Sequence, residues 1–199
     1  LLDRGRTVRA MARNPDKLHD APWRVRVEVV RGDLSDPDSL TSAFDGVDVV
    51  YYLVHSMGSS SDFVSEEERS AHNVAAAAKK AGVRRIVYLS GLHPTGELSR
   101  HLSSRNAVGE ILMKSGVETV VLQAGIVVGS GSASFEMIRH LTDRLPVMTT
   151  PKWVRNKIQP ISISDVLHYL AEAADVGVAE SRTFDVGGPD VLEYGDAMQ

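Results

Sequence analysis

The sequence predicts an α/β fold in which a doubly wound parallel sheet is covered by helices on both faces. Short apolar runs alternate along the chain with segments whose apolar residues recur at helical spacing. Glycine or proline separates most of these segments. Each connection between successive runs is long enough for the crossover helix that parallel pairing requires. Periodicity and spacing together therefore predict the fold class.

The composition limits the class of protein. With 199 residues, 43% of them hydrophobic and 24% charged, the chain predicts a single domain, residues 1–199. A net charge of −4, with scattered basic residues, argues against nucleic acid as a partner. The absence of cysteine excludes disulfides, thiolate nucleophiles and sulfur-based zinc sites, and suits a reducing, cytoplasmic compartment. No apolar run predicts a membrane span, and the histidines, including His72 and His93, lack metal-ligand spacing.

The first quarter of the chain predicts a helical turn and two strands. Residues 1–5 read as the last turn of a helix, with Gly5 after its end. Residues 7–12 form a strand that delivers Arg13 to a loop. Alternation over residues 23–31 predicts a second strand with one exposed face.

Capping residues mark the next helices. Ser35 is the predicted N-cap of a short helix, which leads to a buried strand over residues 47–54. Ser65 and Glu68 match a capping box, so a helix with an inward stripe of small residues should follow and end at Gly82. The stripe consists of Ala71, Val74, Ala75 and Ala78.

The remaining elements continue the alternation, and the first of them is an apolar strand that ends at Ser90 and Gly91. Parallel sheets bind ligands where their strands end, so Ser90 is the first residue to suspect. The irregular regions 129–160 and 187–199 predict a small C-terminal lobe or lid on the substrate side. The other predicted elements are helices over 104–115 and 135–145, a helix capped by Ser164 and Asp165, and strands over 117–123 and 182–186.

Seven segments in a fixed order carry a family resemblance. They are residues 1–13, Gly32-Asp-Leu34, residues 51–56, residues 73–78, Ile86-Val-Tyr-Leu-Ser-Gly91, residues 159–165 and Phe184-Asp-Val-Gly-Gly188. In this order the chain resembles atypical, extended-type short-chain dehydrogenase/reductases, close to the NmrA-like NAD(P)H-binding proteins. The resemblance implies a Rossmann-type fold. It also implies a first strand and a Gly-rich turn before Leu1, whose amides hold the cofactor pyrophosphate.

The resemblance implies where the dinucleotide binds. Arg13 lies where relatives that choose NAD often place an acid, and a guanidinium there suits the 2′-phosphate of NADP(H); NAD(H) is the second choice, and an ordinary solvated arginine is the alternative. Asp33 and Leu34 match the pair that meets the adenine, or form only a turn before the helix. The residues that end the next strand, His55, Ser56 and Gly58, match the ribose–nicotinamide channel, although His55 can equally bond backbone carbonyls.

The catalytic residues of the family are only partly retained. Ser90 resembles the serine that binds a substrate oxygen in active relatives. Those relatives pair it with Tyr and, four residues later, Lys; here His101 and Arg105 occupy the matching positions. Arginine keeps its proton in a protein but can stabilise an oxyanion. His101 is a candidate replacement proton donor, or else part of a capping segment ahead of the helix.

Two functions from different classes follow. The first is an NAD(P)H-binding atypical reductase that transfers hydride to a small carbonyl or quinone-like substrate. The second is a non-catalytic redox sensor that binds the dinucleotide and changes its contacts with a protein partner. An isomerase or epimerase ranks lower, because it needs the proton shuttle that the Tyr and Lys supply.

Overall fold

The computed structural model describes residues 1–55, 62–93, 98–129 and 157–193. Short 3-10 helices cover Leu2–Arg4, Pro15–Leu18 and Arg24–Arg26. The α-helices are α1 (Pro37–Ala43), α2 (Phe63–Ala81), α3 (Arg100–Met113) and α4 (Ile163–Ala173). The strands are β1 (Arg9–Ala12), β2 (Glu28–Arg31), β3 (Val49–Tyr52), β4 (Arg85–Gly91), β5 (Glu118–Ala124), β6 (Val127–Val128), β7 (Lys157–Ile158), β8 (Ile161–Ser162), β9 (Arg182–Val186) and β10 (Leu192–Glu193).

A four-stranded parallel sheet forms the centre, in the order β3-β4-β5-β9. The strands β1 and β2 form a separate parallel pair, as do β6 and β8, whereas β7 and β10 pair antiparallel. Helix α2 connects β3 to β4, and α3 connects β4 to β5, so each connection crosses over the sheet. The predicted parallel α/β class is confirmed.

Both faces of the central sheet are buried. Successive residues of β4 alternate between two cores: Tyr88 packs with α1, α2 and α3, whereas Val87 packs with α4. This alternation follows from the two-residue period of a strand. The first four residues of β4, Arg85–Tyr88, are 0–3% exposed. Burial on both faces explains why this strand is nearly continuously apolar instead of alternating. Helices on both faces are thus confirmed.

Helix α2 confirms its small-residue stripe but not its predicted start. Ala71, Val74 and Ala78 are buried, and Gly82 ends the helix with φ 71°, a left-handed conformation suited to glycine. The capping-box prediction was wrong, because the helix begins at Phe63 after an N-cap at Asp62 and therefore includes Ser65. Glu67, which lies between the two residues of the predicted box, is buried.

Other predicted boundaries also shift. Residues 24–26 form a 3-10 turn that leaves Val25 93% exposed, so the predicted strand over 23–31 shortens to Glu28–Arg31. Strand β3 ends at Tyr52, and Leu53 lies about half exposed rather than in a buried strand. The N-caps of α1 and α4 are Asp36 and Ser162 instead of Ser35 and Ser164.

Two further predictions concern the second half. Helix α3 begins at Arg100 under a Ser99 cap, four residues earlier than predicted, and the short strand β10 follows β9. The predicted helix over 135–145 and most of the predicted lid lie outside the described residues. Within the described ranges no helix is both long and apolar enough to cross a bilayer.

Candidate functional site

The carboxyl ends of the central strands bring the candidate residues to one edge of the sheet. Ser90 and Gly91 end β4, and Gln123 lies at the end of the adjacent β5. His55 follows β3 three residues after its last member. Since the strands are parallel, these ends share the edge at which open α/β sheets bind ligands.

The Ser90 hydroxyl is buried and has no hydrogen-bond partner among the described residues. The residue is 4% exposed, and its Oγ lies close enough to the Tyr88 hydroxyl to lower the pKa of that phenol, but it does not have the geometry of a hydrogen bond to any described residue. Buried polar side chains are hydrogen-bonded in the large majority of cases, and each exception requires an explanation. A ligand oxygen or nitrogen at the end of β4 would supply the partner.

Arg105 reaches the same strand end from α3. A Cβ on Gly91 would lie 2.8 Å from Leu102 Cδ2 and 3.3 Å from Arg105 Nη1, so the absence of a side chain at Gly91 leaves room for both residues of α3. The Arg105 backbone carbonyl accepts a hydrogen bond of 3.2 Å from the Tyr88 hydroxyl. Tyr88 therefore ties α3 to β4 at the level of the guanidinium.

Burial sets the protonation of the aromatic residues around this point. Burial raises the pKa of Tyr88 to about 12, despite the Ser90 side chain and the Arg105 charge beside it, so the phenol stays protonated. Burial also lowers the pKa of His55, and the nearby Arg105 charge lowers it further; Glu67 and a backbone bond to Leu89 act in the opposite direction. The His55 imidazole is consequently neutral at pH 7.

His101 lies in the first turn of α3 and not in a segment ahead of it. Its exposed ring stacks on Phe63 of α2, with the ring centroids 4.8 Å apart and an interplanar angle of 26°. The Arg100 guanidinium lies 5.5 Å from the same Phe63 ring. The structure thus places His101 against α2, and its role as a proton donor stays a prediction.

A buried polar contact joins α2 to α3 one turn further along. The Ser104 hydroxyl donates to Oε2 of Glu67, and the two residues are 1% and 7% exposed. Such a contact fixes the rotation of each helix and its position along the other, because a shift of either helix would break a buried hydrogen bond. It thereby holds the turn of α3 that carries Arg105.

The predicted adenine end gathers three residues at the edge of the β1–β2 pair. The Asp33 carboxylate accepts bonds from the Ser35 amide at 2.9 Å and the Ser35 hydroxyl at 2.8 Å, and these bonds lower the pKa of Asp33. The exposed Arg13 lies close enough for its charge to lower that pKa further. The Leu34 carbonyl accepts from Asn73 at 2.8 Å.

These residues fit the predicted dinucleotide site: one cation and one carboxylate lie at the predicted adenine end, and a buried hydroxyl without a hydrogen-bond partner among the described residues lies at the end of β4. Ser56 and Gly58 lie outside the described residues, and the Gly-rich turn expected before Leu1 stays a prediction. Sequence analysis overlooked Gln123 and assigned no role to His93, whose Nδ1 lies 3.1 Å from Gln123 Nε2. No local sequence pattern predicts this contact, because whether the two side chains meet depends on the register of β4 against β5.

Fold and edge together define a dinucleotide-binding α/β protein. A family model described as NAD(P)H-binding matches residues 1–133, and the chain belongs to that family. The sequence is also 35% identical over 100 residues to a 3β-hydroxysteroid dehydrogenase/Δ5→4-isomerase of Mycobacterium tuberculosis strain H37Rv. That match covers 45% of this chain but only 26% of the relative's length. The NAD(P)H-binding family that the resemblance implies is confirmed.

Solved structures share the fold. The chain aligns over 99% of its length, with a TM-score of 0.78 and 19% identity, to 73% of MoeE5 in complex with UDP-glucuronic acid and NAD. It aligns over 95% of its length, with a TM-score of 0.74 and 19% identity, to 63% of the Citrobacter sp. triphenylmethane reductase complexed with NADP(H). At this identity the likeness concerns the fold alone.

Proposed function

We propose that this protein is an NADP(H)-dependent reductase of a small carbonyl or quinone-like compound, with its reaction centre at the carboxyl end of β4. The observation that carries the proposal is the buried Ser90 hydroxyl, which has no partner among the described residues. The NAD(P)H-binding family and the neighbouring Arg105 support it. Substrate class and cofactor preference are the parts that need experiments.

Each residue at the edge has a defined task in this proposal. When bound, the nicotinamide supplies the hydride. The Ser90 hydroxyl donates a hydrogen bond to the substrate oxygen, and the Arg105 guanidinium stabilises the negative charge that develops there. Neutral His55 adds no competing positive charge. Because Arg105 keeps its own proton, solvent water supplies the proton that completes the product hydroxyl.

Replacing Ser90 by alanine tests the central claim. We expect Ser90→Ala to keep or raise the melting temperature, because it removes a buried hydroxyl without a partner. The same change should lower kcat/KM for NADPH oxidation by about tenfold against a panel of carbonyls and quinones, through the lost hydrogen bond. Thermal melts and steady-state kinetics of the purified protein measure the two effects.

Ser104→Ala is the matched control, because Ser104 is equally buried but bonded to Glu67. It should lower stability by about 1–3 kcal/mol, since the buried Glu67 carboxyl loses the hydrogen bond that Ser104 donates. A wild-type protein that binds NADPH but oxidises none of the panel compounds would exclude the reductase. A destabilised Ser90→Ala variant would instead assign that hydroxyl a structural role.

The preference for NADP(H) depends on Arg13. We expect the wild-type protein to bind NADPH more tightly than NADH, and Arg13→Ala to weaken NADPH binding by about tenfold with little effect on NADH binding, because the guanidinium would bind the 2′-phosphate, which NADH lacks. Isothermal titration with both dinucleotides measures this. Lys17→Ala, an exposed change on the same loop, is the control. Equal loss for both dinucleotides, or tighter binding of NADH by the wild type, contradicts the assignment.

The position of His101 favours a second candidate, the non-catalytic redox sensor. His101 occupies the position of the family's Tyr, and its ring stacks on Phe63 of α2. A sensor binds NADPH and NADP⁺ with different affinities and turns over no panel compound. Titration with both redox forms, together with turnover assays on the panel compounds, distinguishes the sensor from the reductase: different affinities without turnover indicate the sensor, and turnover indicates the reductase.

A further inference from the structure

His93 is the second buried group with an unused polar atom. Among the described residues, Ser90 Oγ and His93 Nε2 are the two buried side-chain atoms without a hydrogen-bond partner. They belong to residues three positions apart, at the carboxyl end of one strand. Because buried polar atoms are normally bonded, two such atoms at one strand end indicate a ligand that satisfies both.

Gln123 brings His93 to the side of the sheet that carries Ser90. Gln123 pairs in register with Ser90 across β4 and β5, and register partners of adjacent parallel strands project from the same face. Its Nε2 lies 3.1 Å from Nδ1 of His93. The imidazole therefore contacts the side chain that pairs in register with Ser90.

The contact with Gln123 sets the His93 tautomer. With the Gln123 amide oriented so that its nitrogen faces the ring, this nitrogen donates and Nδ1 of His93 accepts the hydrogen bond. In this arrangement the ring proton lies on Nε2. Nε2–H is consequently a buried donor that lacks an acceptor among the described residues.

We infer that His93, oriented by Gln123, is a ligand-binding residue whose Nε2–H donates to a carbonyl oxygen of the bound ligand. This inference rests on the proposed function, and it adds a second donor beside Ser90. The carbonyl has two sources that share this chemistry: the carboxamide of the nicotinamide and the carbonyl of the substrate. Gln123 is a positioning residue, because it acts through the imidazole.

The tautomer is measured without any ligand. In ¹⁵N-labelled protein we expect the His93 side chain to show a protonated Nε2 and an unprotonated Nδ1. Gln123→Glu places a carboxylate opposite Nδ1, so it should put a proton on Nδ1, either by reversing the tautomer or by charging the ring. A wild-type spectrum with the proton on Nδ1 overturns the inference, whether or not the protein binds NADPH.

Binding distinguishes the two carbonyl sources. His93→Leu removes the donor, His93→Gln retains one on a side chain of similar reach, and His72→Leu changes an exposed histidine on α2 as the control. The probes are NADPH alone and menadione in the presence of NADP⁺. We expect His93→Leu to weaken one probe by about tenfold, and His93→Gln and His72→Leu to stay within about threefold of wild type.

Each result has one meaning. Weaker NADPH binding assigns the donor to the cofactor carboxamide, and weaker menadione binding with unchanged NADPH binding assigns it to the substrate. If the wild type binds both probes and His93→Leu changes neither, the inference fails while the proposed function stands. If the wild type binds neither probe, both fail.

Discussion

Arg105→Leu is expected to lower kcat for NADPH-dependent reduction by about a hundredfold, with the Kd for NADPH within about threefold of wild type. The guanidinium lies at the end of β4, in the space that Gly91 leaves open. A preorganised positive charge next to a developing oxyanion typically contributes this much to the rate. Because the charge develops only in the transition state, kcat should fall while ground-state binding persists. Steady-state kinetics with a reducible panel compound and titration with NADPH measure the two quantities.

Two controls separate charge from geometry and from helix stability. Arg105→Lys keeps the charge but loses the planar fork, so its kcat should fall between those of wild type and Arg105→Leu. Arg100→Leu removes another cation of the same helix, one whose guanidinium lies over the Phe63 ring. This variant should leave kcat unchanged. If Arg105→Leu retains wild-type kcat, the oxyanion assignment is wrong.

Glu118→Leu should be the most destabilising single change proposed, lowering the free energy of unfolding by about 3 kcal/mol. Arg85 is 3% exposed, and its Nε donates to Oε1 of Glu118 at 2.7 Å across β4 and β5. Its Nη1 also donates to the Ala173 carbonyl at the end of α4. Without Glu118 the buried guanidinium keeps only neutral partners among these contacts. The Glu118 side chain is 32% exposed, so the expected loss lies at the lower end of the about 3–5 kcal/mol that is typical when one partner of a buried ion pair is removed.

Denaturant unfolding of Glu118→Leu measures this loss, and the Arg85→Met/Glu118→Leu double variant is its control. Apolar residues of similar volume often replace a buried ion pair at little cost, so the double variant should recover most of the stability. A double variant as unstable as the sum of the single variants would show that the pair is not coupled. In that case the loss would come from packing at the strand ends.

The residues at the proposed reaction centre and beside it were only partly predictable. Ser90 follows from the rule that chemistry lies where parallel strands end, and its burial without a partner agrees with that choice. The buried contact of Glu67 with Ser104 was not predicted, because the glutamates near this helix start match a capping pattern while the contact depends on how α3 packs. The His93–Gln123 pair was overlooked for a similar reason, since 30 residues separate its members.

Element type and order are local properties, and the pattern of apolar residues, glycines and prolines was sufficient to predict them. Strand β4, the α2 stripe and the parallel sheet all agree with that pattern. Which polar groups meet is a property of register and helix packing, and these depend on contacts between residues far apart in the chain. Arg105 beside Gly91, His101 on Phe63 and Gln123 on His93 therefore emerge only when the elements are assembled.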